Sequence, residues 1–456
     1  MGLDDLFDPA GIAVIGASET PGKLGHDAMA NAVAFDGPVY PVNPSSEGTL
    51  FGERFVGSVG EIDGPVDLAL LCIPAPVVPE VLEECGKAGV GAAVVYSGGF
   101  AEAGDDGRQR QSRVEALANR YDIAVLGPNT SGFLVPGRNL VCSFVGEVER
   151  VESGTVAVIA QSGGVAHALA FQAQSEGYGI AAMVGLGNRV SVGFEEAIRY
   201  FDGHPPTDAI ALHVEGTADA RGLLETCRAV ETPVVAYTVG RTGVDGFAAS
   251  HTGALTGDWA LYRAGFKQYG VPTVPATTTL LDSARTLGSQ PRPAGPNVGV
   301  VTVQAGPGII IADRLNAAGV PVPEFDEATA DRLSEYLDGL TYAANPVDTG
   351  RPSPAFGDVI ETVARDSGID ILLVYQLYEP SVGYPTSALE SVAEQFDMPV
   401  ILATDGPEPG VSDAIAPLEA AGVTTVRTPE RGADAVIALV EYVRQQRRLQ
   451  EAQPDG

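Results

Sequence analysis

The sequence has 456 residues, with 59 Asp plus Glu against 27 Lys plus Arg and a formal charge of −32. That charge excludes proteins whose partners are nucleic acids or anionic membrane surfaces, because both need a positive face. A hydrophobic share of 45% excludes a disordered chain.

Only three of the basic residues are lysines, namely Lys23, Lys87 and Lys267. High acid content on a well-formed core, almost without lysine, suits a protein that stays soluble in concentrated salt. Screening there removes the self-repulsion that would strain the compact state. A halophilic source is therefore expected. The length predicts about three domains at roughly 150 residues each. The four cysteines (Cys72, Cys85, Cys142, Cys227) have no C-x-x-C spacing, so neither a zinc cluster nor a disulfide framework is predicted. The sequence has no basic leader followed by an apolar run, and no apolar stretch of the ~18 residues a membrane span needs. The expectation is a soluble, cytoplasmic protein.

In chain order, short apolar runs predict strands at Ile12–Ile15, Leu68–Ile73, Ala92–Tyr96, Val156–Ile159, Ala209–Val214, Val234–Thr238, Val298–Val303, Ile371–Tyr375 and Val400–Ala403. Runs apolar at nearly every position mark parallel strands buried on both faces. Amphipathic helices alternate with them, which predicts doubly wound α/β domains. The charged stretch Val148–Gly154 and the Pro- and Gly-rich stretch Gly288–Asn297 read as boundaries. The expected domains are 1–150, 151–290 and 295–445. A closing helix is expected over Arg431–Gln450, its basic residues at the C-terminal side where the helix dipole favours them.

Five segments could carry chemistry. The first is IAVIGASETPGKLG (12–25), where a strand runs into Gly16, Ser18, Pro21, Gly22 and Lys23. A first βα turn of this kind holds nucleotide phosphates. It is neither G-x-G-x-x-G nor a Walker loop, and it predicts a phosphate-bearing cofactor. The second, GFAASHTGALTG (246–257), sets His251 among small residues. With no partner at ligand spacing His251 is a poor metal ligand. It has room for a bulky group and could accept phosphate; a solvent-exposed or capping histidine is the other reading. The third is Glu215, which ends a strand and precedes a Gly turn. Strand C-termini are where open α/β sheets place ligands, and a carboxylate there could steady an imidazolium. The fourth, GPNTSGF (127–133), offers Asn129 and Thr130 as hydrogen-bonding groups. The fifth, NPVDTG (345–350), reads as a rigid turn.

The second and third domains repeat one plan. VAVIAQSGGVAHALA (156–170) and VGVVTVQAGPGIIIADRL (298–315) each run from an apolar strand through a Gly-rich turn into a helix. Helix N-termini of this kind bind anions.

Together these motifs resemble the α subunit of ADP-forming acyl-CoA synthetases, relatives of succinyl-CoA synthetase. The resemblance covers nearly the whole chain. It rests on GASxxPGKxG at 16–25, YPVNP at 40–44, SGGFAEAG at 97–104, GPNTSG at 127–132, QSGGV at 161–165, GN at 187–188, EG at 215–216, SHTGALTG at 250–257 and NPVD at 345–348. It implies a Rossmann-like CoA-binding domain followed by two flavodoxin-like domains. It implies CoA contacts at Gly16, Ser18, Pro21, Gly22, Lys23, Asn43, Pro74, Ser97, Gly98, Phe100 and Asn129. His251 would be the histidine that is transiently phosphorylated, and Glu215 the glutamate that steadies it. Ser162, Gly163 and Gly164 would open one phosphate-holding helix, and Gly306 and Gly308 the second.

The resemblance further implies a small organic acid or acyl-CoA and phosphate as substrates. It implies an ATP-grasp β subunit that carries ADP or ATP with Mg. The sequence departs from the family at Tyr237–Thr238, at Arg189 and Ser191, and at the LHVEG strand end. Two other readings are a non-catalytic CoA-binding or acyl-CoA-sensing paralogue and a dinucleotide-dependent oxidoreductase. The intact SHTGA with Glu215 weighs against the first, and Ser18 with Pro21 in the first turn against the second.

Overall fold

In the computed structural model, residues 2–240, 259–337, 341–351, 353–408 and 410–451 are described. The chain divides into two compact units, Met1–Phe266 and Lys267–Gly456.

The first unit holds two large sheets. One is wholly parallel and runs, in spatial order, Val39–Val42, Ile12–Ile15, Leu68–Leu71, Ala92–Val95 and Ala124–Leu126. The inner strands are buried at every position, which is why they read as unbroken apolar runs. Chain order reverses across Ile12–Ile15, and the crevice at such a switch point is where doubly wound sheets take ligands. The second sheet runs Val234–Thr238, Ala209–Val214, Ser153–Ala160, Ile180–Gly185, Gly132–Val135 and Leu140–Ser143. Its first four strands are parallel. The last two form an antiparallel hairpin added to its edge. That hairpin precedes the charged stretch at 148–154 where a boundary is expected.

The second unit is built on a parallel sheet in the order Val347–Asp348, Val298–Thr302, Ile371–Leu377, Val400–Asp405 and Thr424–Arg427. Strand order 2-1-3-4-5 is the flavodoxin-like plan. The helix Thr278–Ser289 packs here, although it precedes the Pro- and Gly-rich stretch. Asp282, fully buried on this helix, takes a two-pronged ion pair from Arg431 at 2.6 and 2.8 Å. Just beyond it, Gln290 accepts from Val400 N at 2.8 Å and donates to Gly422 O at 2.7 Å. Burying these charges is tolerable only because each is paired in good geometry. The closing helix spans Pro429–Glu451. The fold is therefore the expected one: a Rossmann-like domain followed by two flavodoxin-like domains.

Candidate functional site

The first βα turn is packed too tightly for larger residues. Gly16 has φ +86°, and a Cβ there would lie 2.5 Å from Cys72 O. A Cβ on Gly25 would lie 2.0 Å from Gly16 O, so the helix Leu24–Ala32 presses directly on the turn. Ser18 Oγ accepts from Thr20 N at 3.2 Å, and Gly22 N donates to Asp27 Oδ1 at 3.2 Å. Pro21, Gly22 and Lys23 are exposed at the rim, with Lys23 as the N-cap residue of the helix. The amide of Asn43 is engaged in holding the turn. It donates to Ala17 O at 2.8 Å and accepts from Ser45 N at 2.9 Å. Pro74 is exposed at the end of the third strand of this sheet.

The fourth strand leads into Ser97, Gly98 and Gly99. Ser97 Oγ is buried with no hydrogen-bond partner, and Gly98 is exposed beside Asn129 and Glu102. Phe100 is 0% exposed, its ring packed in the apolar core of this domain. The polar work at this turn falls to Glu102, which the sequence reading passed over. Its Oε1 accepts from Gly99 N (2.6 Å) and Phe100 N (3.0 Å), and its Oε2 accepts from Asn188 Nδ2 at 2.7 Å. Burial opposes its charge. The hydrogen bonds from Asn188 and from the backbone N–H groups of Phe100, Glu102 and Gly99 outweigh that and hold the carboxyl below the usual glutamate value. Asn129, at φ +60°, donates from its backbone to Ser97 O at 3.0 Å, and its side chain lies 3.5 Å from Asn188 Oδ1.

The second sheet contributes the ends of three adjacent strands. After Ser153–Ala160 comes Ser162, the N-cap of the helix Gly163–Glu176, whose Oγ accepts from Val165 N at 3.4 Å. Gly163 is required by its neighbour, since a Cβ there would lie 2.3 Å from Ser131 Oγ. At Gly164 the nearest atom to such a Cβ is Ser162 Oγ, 3.8 Å away. Gln161, 5% exposed, accepts through Oε1 from Glu215 N at 2.9 Å and from Gly216 N at 3.0 Å. One side chain thus ties the start of the helix to the Glu215 turn. Glu215 itself is partly buried. Thr130, which the sequence placed near a ligand, is buried and donates to Gly185 O, so its role is to hold the sheet edge.

Three of the departures from the family, Ser191, His213 and Tyr237, have a structural account here. Ser191 Oγ accepts from Val125 N at 2.7 Å and donates to Val125 O at 3.3 Å, satisfying the edge strand of the first sheet. His213 and Tyr237 sit on neighbouring strands with their rings stacked at 5.8 Å, so these two departures form one packed pair. Burial pushes the His213 imidazole down to about 4, so it is neutral at neutral pH.

His251 lies outside the described residues. In the second unit, Gly306 and Gly308 open the helix Ala305–Ala317. A Cβ at Gly308 would lie 2.9 Å from Thr302 Cγ2, whereas one at Gly306 meets nothing within 4 Å. The NPVD segment is not the turn expected from the sequence: Val347–Asp348 is an edge strand of the parallel sheet. Asn345 Nδ2 donates to Val298 O at 2.8 Å and to Pro323 O at 2.9 Å. A cleft of about 710 Å³ opens in the same unit beside Phe356 and Thr386. Its lining includes Asp358 and Glu361 and neither Lys nor Arg, the wrong charge for a phosphate.

Comparison with known proteins accords with this arrangement. Residues 10–136 match the CoA binding domain family, and residues 153–287 match the succinyl-CoA ligase like flavodoxin domain. The α subunit of acetate–CoA ligase (ADP-forming) II of Pyrococcus furiosus is 32% identical over 97% of this chain and 98% of its own length. The acetate–CoA ligase (ADP-forming) I of Archaeoglobus fulgidus is 32% identical over 96% of this chain, which spans 64% of that relative. Among solved structures, the dinucleotide-forming acetyl-coenzyme A synthetase 1 of Ca. Korarchaeum cryptofilum, in complex with phosphate and ADP, superposes over 100% of both chains with a TM-score of 0.87 at 29% identity. The sheets, the helix N-termini at their strand ends and these full-length likenesses have one reading: the chain belongs to the family of ADP-forming acetate–CoA ligase α subunits.

Proposed function

We propose that this chain is the CoA-binding, phosphohistidine-carrying subunit of an ADP-forming acyl-CoA synthetase. The observation that carries the reading is the side chain of Gln161. It places a glycine-opened, Ser-capped helix N-terminus and the Glu215 turn at one edge of one sheet. A helix start offers free N–H groups and partial positive charge to a phosphoryl group, and a carboxylate offers a partner to an imidazolium.

In the proposed reaction an oxygen of inorganic phosphate attacks the thioester carbonyl of acyl-CoA. The C–S bond breaks, leaving acyl phosphate and CoA thiolate. An imidazole nitrogen of His251 then attacks phosphorus, and the P–O bond to the acyl group breaks to release the free carboxylate. A terminal oxygen of ADP attacks the phosphohistidine, the P–N bond breaks, and ATP leaves. The chain's own part is positioning and charge stabilisation. Ser162, Gly163 and Gly164 hold phosphate at the helix start, and Gly306 and Gly308 are assigned the same role at theirs. The tight turn at Gly16, Ser18, Pro21, Gly22 and Lys23 takes the CoA phosphates, with Asn43 bracing it. Ser97, Gly98 and Asn129 complete the CoA contacts, Ser97 offering an otherwise unpartnered hydroxyl.

The subunit names of the Pyrococcus relatives support a partner chain. We assign to it an ATP-grasp nucleotide site with the Mg2+ that accompanies ADP. The acidic, lysine-poor composition supports an enzyme adapted to high salt, which we assign to the cytoplasm. The test is to incubate the chain with its partner, CoA, an acid and ATP in roughly molar salt. ADP and acid-labile phosphate on this chain are expected. Equal labelling of His251→Asn would refute the reading.

A further inference from the structure

The turn at Glu215 is held by more side chains than a solvated turn needs. Its successive N–H groups are all taken by other elements. Gln161 Oε1 accepts from Glu215 N (2.9 Å) and Gly216 N (3.0 Å), and Tyr262 Oη accepts from Thr217 N at 2.9 Å. The carbonyl of Gly216 is gripped as well, because Arg189 Nη1 donates to it at 3.0 Å. Gly216 is therefore held at its N–H and its C=O from opposite sides.

Neither grip is incidental. Gln161 is itself pinned, donating from its backbone to His213 O at 3.1 Å and accepting from Gly187 N at 3.3 Å. Arg189 lies in the left-handed region at φ +61°, where an arginine sits only if its surroundings insist. Its guanidinium lies 4.9 Å from the centre of the Phe194 ring, which fixes its plane.

We propose that Gln161 and Arg189 are positioning residues for phosphoryl transfer, holding the Glu215–Gly216 turn so that the Glu215 carboxylate is fixed at the end of its strand. This rests on the function proposed above. Arg189 also lies in the field of that carboxylate. Burial works hardest against its charge, and Glu195, Tyr262 and Glu215 favour it. Glu195, on the first turn of the helix Phe194–Phe201, is raised by burial first and also by Glu196 and Asp219. Of the groups around Arg189, Glu215 is the one on the gripped turn.

The test uses the complex of this chain with its partner subunit and reads the rate of phosphoenzyme formation. Arg189→Met should lower the transfer rate by up to about a hundredfold with the KM for CoA unchanged. Arg189→Lys keeps a cationic donor for the Gly216 carbonyl, so part of the rate should return. Gln161→Met should speed hydrogen–deuterium exchange at the Glu215 and Gly216 amides and slow transfer. Gln161→Glu, which retains the accepting oxygens, should restore both. If Arg189→Met leaves the transfer rate unchanged, or Gln161→Met leaves those amides protected, the positioning role is overturned while the assigned function stands. If Glu215→Gln transfers phosphate as fast as the unaltered chain, the functional reading of this turn falls and this inference with it.

Discussion

Asn188 donates its side-chain amide to Glu102 at 2.7 Å, across 86 positions of sequence. The bond joins the Gly-rich turn of the CoA-binding sheet to the strand-end loop of the second sheet, within one compact unit. The same amide donates to Gln111 Oε1 at 3.0 Å, and Asn188 N donates to Pro128 O at 2.8 Å. The Ser97–Gly99 turn and the strand-end loop at Asn188 are thereby given one frame of reference.

Glu102→Gln should therefore weaken more than stability. The neutral amide accepts more weakly than a carboxylate, and hydrogen bonds to charged groups contribute roughly 1.5–3 kcal/mol. Partial exposure puts the expectation at about 1 kcal/mol. The Glu102 carboxyl is held below its ordinary value in the fold, so its contribution is present above about pH 4.5 and is lost as pH falls through the depressed folded value. Urea melts should show the variant less stable at neutral pH and the gap closing in acid. The KM for CoA should rise severalfold. A gap that widens in acid would contradict the assignment.

Gly163→Ala tests how closely the helix Gly163–Glu176 seats, the helix proposed to hold phosphate. The added Cβ would meet Ser131 Oγ at 2.3 Å and Ser131 Cβ at 2.8 Å. Overpacking of this kind costs about 1–3 kcal/mol and displaces the first helical N–H groups. Phosphate-dependent steps should slow more than CoA binding weakens. Ser131→Gly in the same chain removes both clashing atoms and should recover most of the lost stability, whereas Ser131→Ala, which keeps the Cβ, should recover little. Equal recovery by the two would place the strain elsewhere.

The sequence announced the buried parallel strands because burial on both faces writes an unbroken apolar run, as in Leu68–Leu71 and Ala209–Val214. It concealed the strand Val39–Val42, which contains Pro41. That strand lies at the sheet edge, where a missing N–H is tolerated. The hairpin at 132–143 was equally hidden, since its sheet membership depends on pairing with a strand some 50 residues later. In the site, local motifs singled out Ser162, Gly163 and Glu215, which the fold sets at strand ends of one sheet. They also singled out Phe100, whose ring packs in the core. They missed Glu102, Gln161 and Arg189 as working groups, because each acts on a partner distant in sequence. The oddity at Arg189 was visible only as a departure. Its meaning required Gly216 O beside it.

His213 supplies a pH dependence with a definite sign. Burial lowers its imidazole from the ordinary 6.5 to about 4, and its Nδ1 has no partner. Below about pH 6.5 the unfolded chain takes up a proton at this residue and the folded chain does not. Stability should therefore fall as pH drops from about 6.5 to 4, by at most roughly 3 kcal/mol at about 1.4 kcal/mol per unit. Below about 4 this residue adds nothing further. His213→Tyr keeps an aromatic ring against Tyr237 and should flatten that portion of the curve. Carboxylates titrate mainly below it, so chemical denaturation between about pH 6.5 and 5 isolates the effect. A variant as acid-sensitive as the unaltered chain in that interval would show that His213 is already charged in the fold.

The charge of −32 sets the last expectation. Many carboxylates have nearby arginines only at the surface, as in the pairs Arg221–Glu225 and Arg365–Glu361, and such pairs contribute about 0–1 kcal/mol each. The unpaired excess repels itself across the surface at low ionic strength. At about 0.1 M salt the screening length is about 10 Å, and at about 1 M it is about 3 Å. Raising salt over that interval should therefore stabilise the chain, even though it weakens the few surface pairs, because net repulsion outweighs local attraction when acids outnumber bases by 59 to 27. The thermal midpoint should rise by roughly 5 °C or more, with most of the gain complete near about 1 M. A salt whose anion is strongly excluded would continue to stabilise beyond that point, which separates screening from preferential exclusion. Replacing several exposed glutamates with lysines should raise the low-salt midpoint and shrink the salt response together. If the low-salt midpoint stays fixed in that variant, self-repulsion is not what salt relieves.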